Sequence, residues 1–280
     1  MNKAIKKRFW LFVLPTLAAF VVAFLIPLVM GLYLSFCDFT TVTNARFVGL
    51  SNYVTAFTNQ DFLSALWFTV KFALVAVITI NICGFGLALM LTKGIRGTNF
   101  FRTLFFMPNL IGGIVLGYIW QSMINGVLSK YQVTMLMDPA YGYWGMIVLM
   151  NWQLIGYIMV LYIAGLQNVS TDVLEAAKID GANQFQTLFK VTIPMVMPSI
   201  TICLFLTIAN SFKMFDQNLA LTGGGPSNQT TMMALDIYKT FYGRNGFEGV
   251  GQAKAVVFAV IVGVLGMTQL LITRRKEVES

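Results

Sequence analysis

The chain has 280 residues, of which 57% are hydrophobic and 11% charged, with a net charge of +8 and a mean hydropathy of +0.74. Soluble domains carry about 25% charged residues, so a normal aqueous surface is excluded, and with it a soluble enzyme, a disordered regulator and a nucleic-acid-binding domain. Histidine is absent, which removes imidazole triads, histidine metal sites and imidazole proton shuttles.

A helix crossing the hydrocarbon core needs roughly 20 apolar residues. Six stretches meet that length, about 9–35, 65–92, 104–124, 144–166, 197–217 and 254–273, and they predict an all-α membrane protein formed as one domain over 1–280. The first follows Lys3, Lys6, Lys7 and Arg8, as a signal peptide would. Its apolar run is far longer than a signal core of about 7–15 residues, so a retained helix is expected. Pro15 and Pro27 should kink it, which neighbours in lipid can tolerate. In the second, Lys71 should snorkel to the interface and Asn81 should hydrogen-bond between helices. Cys37, Cys83 and Cys203 are odd in number and widely spaced, a pattern that fits neither a metal site nor a disulfide framework. Cys83 and Cys203 lie in apolar runs and read as buried packing residues.

Lys and Arg mark the cytoplasmic side of a membrane protein. Twelve of the 19 fall in the N-terminus, in the 2–3 loop (Lys93, Arg96, Arg102), in the 4–5 loop (Lys178, Lys190) and at the C-terminus (Arg274, Arg275, Lys276). Both termini are therefore expected in the cytoplasm, and +8 becomes a topology signal with no need of nucleic acid. The opposite side carries an aromatic-polar segment, 36–64, and a longer one, 218–253. The latter holds Gly223-Gly224-Gly225-Pro226, a strong turn signal without the Lys-Ser/Thr of a phosphate loop.

The cytoplasmic segment 167–198 is the most informative. Ser170, Thr171 and Asp172 offer N-caps, helix formers run through Ile179, and Gly181 can take the left-handed turn that ends a helix. A second helical run follows from Gln184 to Val191, before Pro194 and Pro198. Leu174, Ala177 and Ile179 give this polar-side loop an apolar face with nothing of its own to bury it.

The pattern Glu175-Ala176-Ala177, three residues, Gly181, nine residues, Val191, one residue, Ile193-Pro194 resembles the EAA loop of binding-protein-dependent ABC importer permeases. Val191 and Ile193 replace the usual Ile and Leu at similar size. Asp180-Gly181-Ala182 is similar to the carbohydrate-uptake branch, the maltose-type and glycerol-phosphate-type permeases. Phe100-Phe101-Arg102 leading to Pro108-Asn109, Gly49-Leu50-Ser51-Asn52-Tyr53, and Leu221-Thr222 before the glycines extend the resemblance over nearly the whole chain.

The resemblance implies a type I ABC importer permease fold in a bacterial cytoplasmic membrane. It also implies a second homologous permease, a dimer of cytoplasmic ABC ATPases, and an extracytoplasmic solute-binding protein that delivers a sugar. Glu175, Ala176, Ala177, Asp180, Gly181, Ala182 and Pro194 would couple to the ATPase. No GxxxxGK[ST] motif occurs, so no cofactor is expected on this chain, and ATP and magnesium would sit on the partner ATPase.

Intramembrane polar residues are functional-site hypotheses by default. At about 1.5 Å per residue, straight helices would bring Tyr118, Asn151, Trp152, Asn210 and Ser211 to one depth, a combination of rings, amides and hydroxyls that suits a sugar. Maltose-type relatives place their sugar on corresponding helices, including the tryptophan spaced as Trp152 is from Glu175; around Asn210–Met214, Lys213 and Met214 join the candidates through a looser match. The competing reading is that these groups bond between helices. Lys213 and Asp216, three apart on one helix, read first as a structural pair. A stand-alone secondary transporter would need ion-coupling carboxylates within its spans, and only Asp216 offers itself. A permease for a non-sugar solute is the other alternative.

Overall fold

The computed structural model describes residues 3–94 and 96–275; Lys276, counted above among the cytoplasmic cations, lies outside them. In chain order the elements are α1 (Lys3–Phe20), a π-helical turn (Val21–Leu25), α2 (Ile26–Leu34), β1 (Cys37–Asp38), β2 (Arg46–Phe47), α3 (Ser51–Thr58) and α4 (Gln60–Leu91). There follow α5 (Thr98–Phe106), α6 (Gly113–Leu128), α7 (Pro139–Gln167), α8 (Thr171–Ile179), α9 (Gln184–Thr187), a second π-helical turn (Leu188–Thr192) and α10 (Ile193–Met195). The last are α11 (Met197–Phe212), α12 (Asp216–Leu221), α13 (Met233–Gly243) and α14 (Glu248–Arg274).

Among the described residues four helical stretches are long and apolar enough to cross a membrane: Val13–Leu34, Gln60–Leu91, Pro139–Gln167 and Glu248–Arg274. Two bent pairs raise the number to six if each counts as one span: Thr98–Leu110 with Gly113–Tyr131, bent by 100°, and Gln184–Met195 with Met197–Phe212, bent by 72°.

The stretch expected as one helix over 104–124 is therefore broken. Pro108 opens a 3-10 turn, Met107–Leu110, and Ile111 and Gly112 are then extended before α6 begins. The stretch expected over 197–217 ends at Phe212, and Asp216 starts the separate helix α12, where a carboxylate suits the positive helix end. Lys213 and Asp216 are thus not neighbours on one helix, and no ion pair joins them among the described residues.

Two prolines are accommodated in one way. Proline lacks the N–H of an interior helical residue, and its ring crowds the carbonyl four residues back. Ahead of Pro27 and Pro194 the helix widens into a π turn, in which Ile26 N–H donates to the Val21 carbonyl and Ile193 N–H to that of Leu188. The wider turn carries the helix on through Pro27, and past Pro194 as far as Met195, where the 72° bend follows.

The chain divides into two compact units. The smaller comprises residues 1–60 and 237–259. In it Asn52 Nδ2 donates to the carbonyls of Ser35 (3.0 Å) and Cys37 (2.8 Å), and Tyr53 Oη shares a 2.6 Å hydrogen bond with Ser35 Oγ. The Gly49–Tyr53 motif thereby ties α3 to the end of α2. In α14 the buried Lys254 donates from Nζ to Thr240 Oγ1 at 2.8 Å.

The larger unit comprises residues 61–236 and 260–280 and holds the main core, built on α4, α7 and α11. A buried polar knot joins these three helices: Tyr162 Oη donates to Asn81 Oδ1 (2.7 Å), and Asn81 Nδ2 donates to Thr207 Oγ1 (2.9 Å). Asn81 is the interhelical bond expected from sequence. Gly156 lets α5 lie directly on α7, because any Cβ there would strike the Phe105 carbonyl. Gly117 does the same for α6 against Ala220 of α12. Cys203 is buried in the core, whereas Cys83, expected to be buried, faces outward from α4.

Candidate functional site

The helix breaks build a polar cavity of about 280 Å³ inside the larger unit. Asn109 comes from the 3-10 turn, Gln153 from α7, Asn210 from α11, and Lys213, Asp216 and Gln217 from the turn into α12. Met150, Leu154, Met214 and Phe215 supply its apolar wall. Two amides are locked in series: Gln217 Nε2 donates to Gln153 Oε1 at 2.9 Å, and Gln153 Nε2 reaches the Ile111 carbonyl at 3.4 Å. The carbonyl freed by the α5–α6 break is thereby satisfied from α7, as a low-dielectric interior demands.

Three sequence candidates, Asn210, Lys213 and Met214, line this cavity. Asp216, read first as a structural partner of Lys213, lines it as well. The others lie elsewhere. Ser211 is buried and donates to the Thr207 carbonyl at 2.7 Å, beside Met150 Sδ. Asn151 turns back to the Ile147 carbonyl at 2.8 Å. Trp152 and Tyr118 are exposed, and Trp152 meets Trp120 edge-on at 5.7 Å. The straight helix assumed in placing Tyr118 is absent, because a 100° bend separates it from the start of the stretch expected over 104–124. Sequence reasoning missed Gln153, Gln217 and Phe215, and it gave Asn109 only a place in a motif. Their signal was the clustering of amides beside helix breaks.

Asn218 is a buried hub of the same unit. Its Nδ2 donates to Thr222 Oγ1 (3.0 Å) and the Thr230 carbonyl (2.8 Å), while Oδ1 accepts from Met232 N–H (3.0 Å). One buried amide thus closes the glycine-rich turn, which contains a cis Gly225–Pro226 bond.

The segment 167–197 forms two short helices. Ser170 Oγ accepts from Asp172 N–H at 3.2 Å and caps α8. At the other end Gly181 has φ +80°. Its N–H donates to the Lys178 carbonyl at 3.1 Å, and Ala182 N–H to that of Ala177 at 3.0 Å. That closure needs the left-handed region glycine enters freely. Asn183 and Gln186 then cap α9 reciprocally, each side chain accepting from the other's backbone N–H at 2.9 Å. With its backbone satisfied, the loop presents Glu175, Ala176 and Asp180 outward, while Ala182 and Pro194 are half-buried. The apolar face differs from expectation: Leu174 and Ala177 turn partly inward, and the most exposed large apolar residues are Ile179 (86%), Phe185 (75%) and Phe189 (62%). Phe185 of α9 and Phe189 of the following π-helical turn are the aromatics that this second helical run adds.

Residues 84–277 match the family of binding-protein-dependent transport system inner membrane components. The chain belongs to that family. It is 41% identical over 279 residues to the probable starch degradation products transport system permease protein AmyD of Thermoanaerobacterium thermosulfurigenes, covering 97% of this chain and 95% of that protein. It is 32% identical to the multiple sugar-binding transport system permease protein MsmF of Streptococcus mutans serotype c, with 96% of each covered. In fold it is similar to a chain of a bacterial ABC transporter involved in import of the acidic polysaccharide alginate, with a TM-score of 0.82, 21% identity and 98% of each chain covered. The chain therefore has the type I importer permease fold, is a multi-pass membrane protein and acts as a transport subunit rather than an enzyme. ATP hydrolysis belongs to a separate subunit of such transporters.

Proposed function

We propose that this chain is one permease of an ATP-driven sugar importer, a single domain over 1–280 with six spans and both termini in the bacterial cytoplasm. The observation that carries the sugar reading is the polar cavity at the helix breaks. A sugar presents hydroxyls that both donate and accept. The amides of Asn109, Gln153, Asn210 and Gln217 offer both functions, and Phe215 and Met150 offer apolar contact to the C–H faces of a ring. At about 280 Å³ the cavity lies at the small end of ligand pockets, roughly 300–1,000 Å³. This chain would thus hold one ring of a saccharide, and a second permease would complete the path. Tyr118 and Trp152 are exposed on this chain, on the side left for that partner. The sugar-linked names of the relatives, starch degradation products and multiple sugars, point to the same substrate class.

The six-span reading counts each bent pair as one span. It places the capped loop on the same side as both termini, where Lys and Arg are concentrated. There Ile179, Phe185 and Phe189 would seat on the ATPase, Glu175 would pair with a basic residue, and Ala176 and Ala177 would permit close approach. Asp180, Gly181 and Ala182 would hold the turn, and Pro194 would start the return into the membrane. ATP and magnesium would stay on the ATPase, and a binding protein would deliver the sugar from outside.

The test is uptake of a labelled malto-oligosaccharide by the reconstituted transporter carrying Asn210→Ala or Gln153→Ala. The proposal expects uptake to fall about tenfold with basal ATP hydrolysis retained. Unchanged uptake in both variants would place the sugar path elsewhere.

A further inference from the structure

A second cavity, of about 430 Å³, lies between the 167–197 segment and the end of α4. Leu89, Leu174, Phe185 and Leu188 give it apolar walls, and Lys93 and Lys178 are the charged residues that line it. No carboxylate lines it, and neither lysine has an ion-pair partner among the described residues. Two like charges beside one apolar groove repel each other, so an anion would relieve a standing cost.

The level of the groove follows from α4. Lys71 and Lys93 bracket residues 72–92, which hold no charge. At about 1.5 Å per residue that run is ~32 Å long, matching a hydrocarbon core of about 30 Å. Lys93 thus stands at one headgroup layer, and Lys178, lining the same groove, stands with it. A pocket at this level has lysines for a phosphate and apolar walls for the start of an acyl chain. Basic pockets of this kind on the cytoplasmic side take anionic lipid headgroups.

We propose that this groove binds an anionic phospholipid, phosphate on Lys93 and Lys178 and chain along Leu89 and Leu188, and that the lipid braces α8 and α9 against α4. Its effect on coupling rests on the reading of 167–197 as the ATPase-docking loop; lipid binding itself does not. The pocket would make ATP hydrolysis by the assembled transporter depend on anionic lipid.

The test uses the whole transporter in nanodiscs of phosphatidylcholine with or without phosphatidylglycerol, reading retained phosphatidylglycerol by native mass spectrometry and ATP hydrolysis in parallel. The wild type should retain phosphatidylglycerol selectively and hydrolyse ATP severalfold faster with it. The double variant Lys93→Gln/Lys178→Gln should retain about 30-fold less, the equivalent of about 1 kcal/mol per lysine. Leu89→Trp, which fills the groove and keeps both charges, should also expel the lipid, while Lys190→Gln, outside the groove, should not. Equal retention by wild type and both groove variants would overturn the proposal. So would displacement of the lipid by millimolar inorganic phosphate, which would mark a site for the free anion. Loss of ATPase assembly with lipid retention intact would give the groove to the ATPase and overturn it equally. Retention is read without transport, so its failure is distinct from failure of the sugar reading.

Discussion

The cavity at the helix breaks and the loop over 167–197 solve opposite problems. In the cavity, polar side chains from four segments line one space, and Gln217, Gln153 and the Ile111 carbonyl brace one another. In the loop, backbone groups are closed by Ser170, Gly181, Asn183 and Gln186, and large apolar side chains are left outside. The first arrangement holds hydrogen-bonding groups still in a medium where an unpaired one costs several kcal/mol. The second makes a stiff handle with an apolar grip, suited to passing force from another protein. Under the proposed function, recognition and coupling are separated within the larger unit, and each should be open to disturbance without the other.

The largest expected effect is on the handle. Gly181→Asp forces a side chain into the φ +80° turn and puts a charge on the exposed face, yet its Cβ meets nothing of this chain within 4 Å. Uptake by the reconstituted transporter should fall at least tenfold while the chain still assembles in the membrane; normal uptake would refute the loop's role. Next comes the cavity. Gln217→Ala removes the donor to Gln153 Oε1, leaving that side chain held only by the Ile111 carbonyl, and should raise the KM for saccharide uptake roughly tenfold with unstimulated ATP hydrolysis kept. Equal losses of uptake and unstimulated hydrolysis would erase the separation drawn here.

A third perturbation touches neither region. Asn81→Leu removes the acceptor of buried Tyr162 Oη, while Thr207 Oγ1 keeps its bond to the Cys203 carbonyl. An unsatisfied buried polar group costs about 1–3 kcal/mol, so thermal unfolding in detergent should shift to lower temperature while the remaining folded protein transports normally. The smallest effect is expected from Glu175→Gln. Exposed ion pairs are worth about 0–1 kcal/mol, so uptake should fall no more than about fivefold. A loss as deep as that of Gly181→Asp would mean that Glu175 is fully desolvated at its docking surface.

The loop was legible in sequence because its determinants are local. Ser170 among the offered caps, a glycine at the required left-handed turn and a second helical run lie within thirty residues, and the structure shows each. The long spans around α4, α7 and α14 were legible for a similar reason, since hydropathy over 20 residues is a local sum. The cavity was not. It depends on where helices stop, and the stops at Ile111–Gly112 and at Lys213 are short interruptions in apolar runs that hydropathy averages away. A straight-helix depth estimate therefore grouped Tyr118 with Asn210 and passed over Gln153 and Gln217. The small helices α3, α12 and α13 were missed too, because side-chain hubs such as Asn52 and Asn218 fix them across gaps in sequence.

The central claim is that this chain passes sugar only when a partner ATPase moves it through the 167–197 loop. The direct measurement is uptake of a labelled malto-oligosaccharide into proteoliposomes holding both permeases, the ATPase and the binding protein, with wild-type chain or Gly181→Asp, with and without ATP. Accumulation should require ATP and fall at least tenfold in the variant. Accumulation driven by an ion gradient with no ATP present would contradict the account.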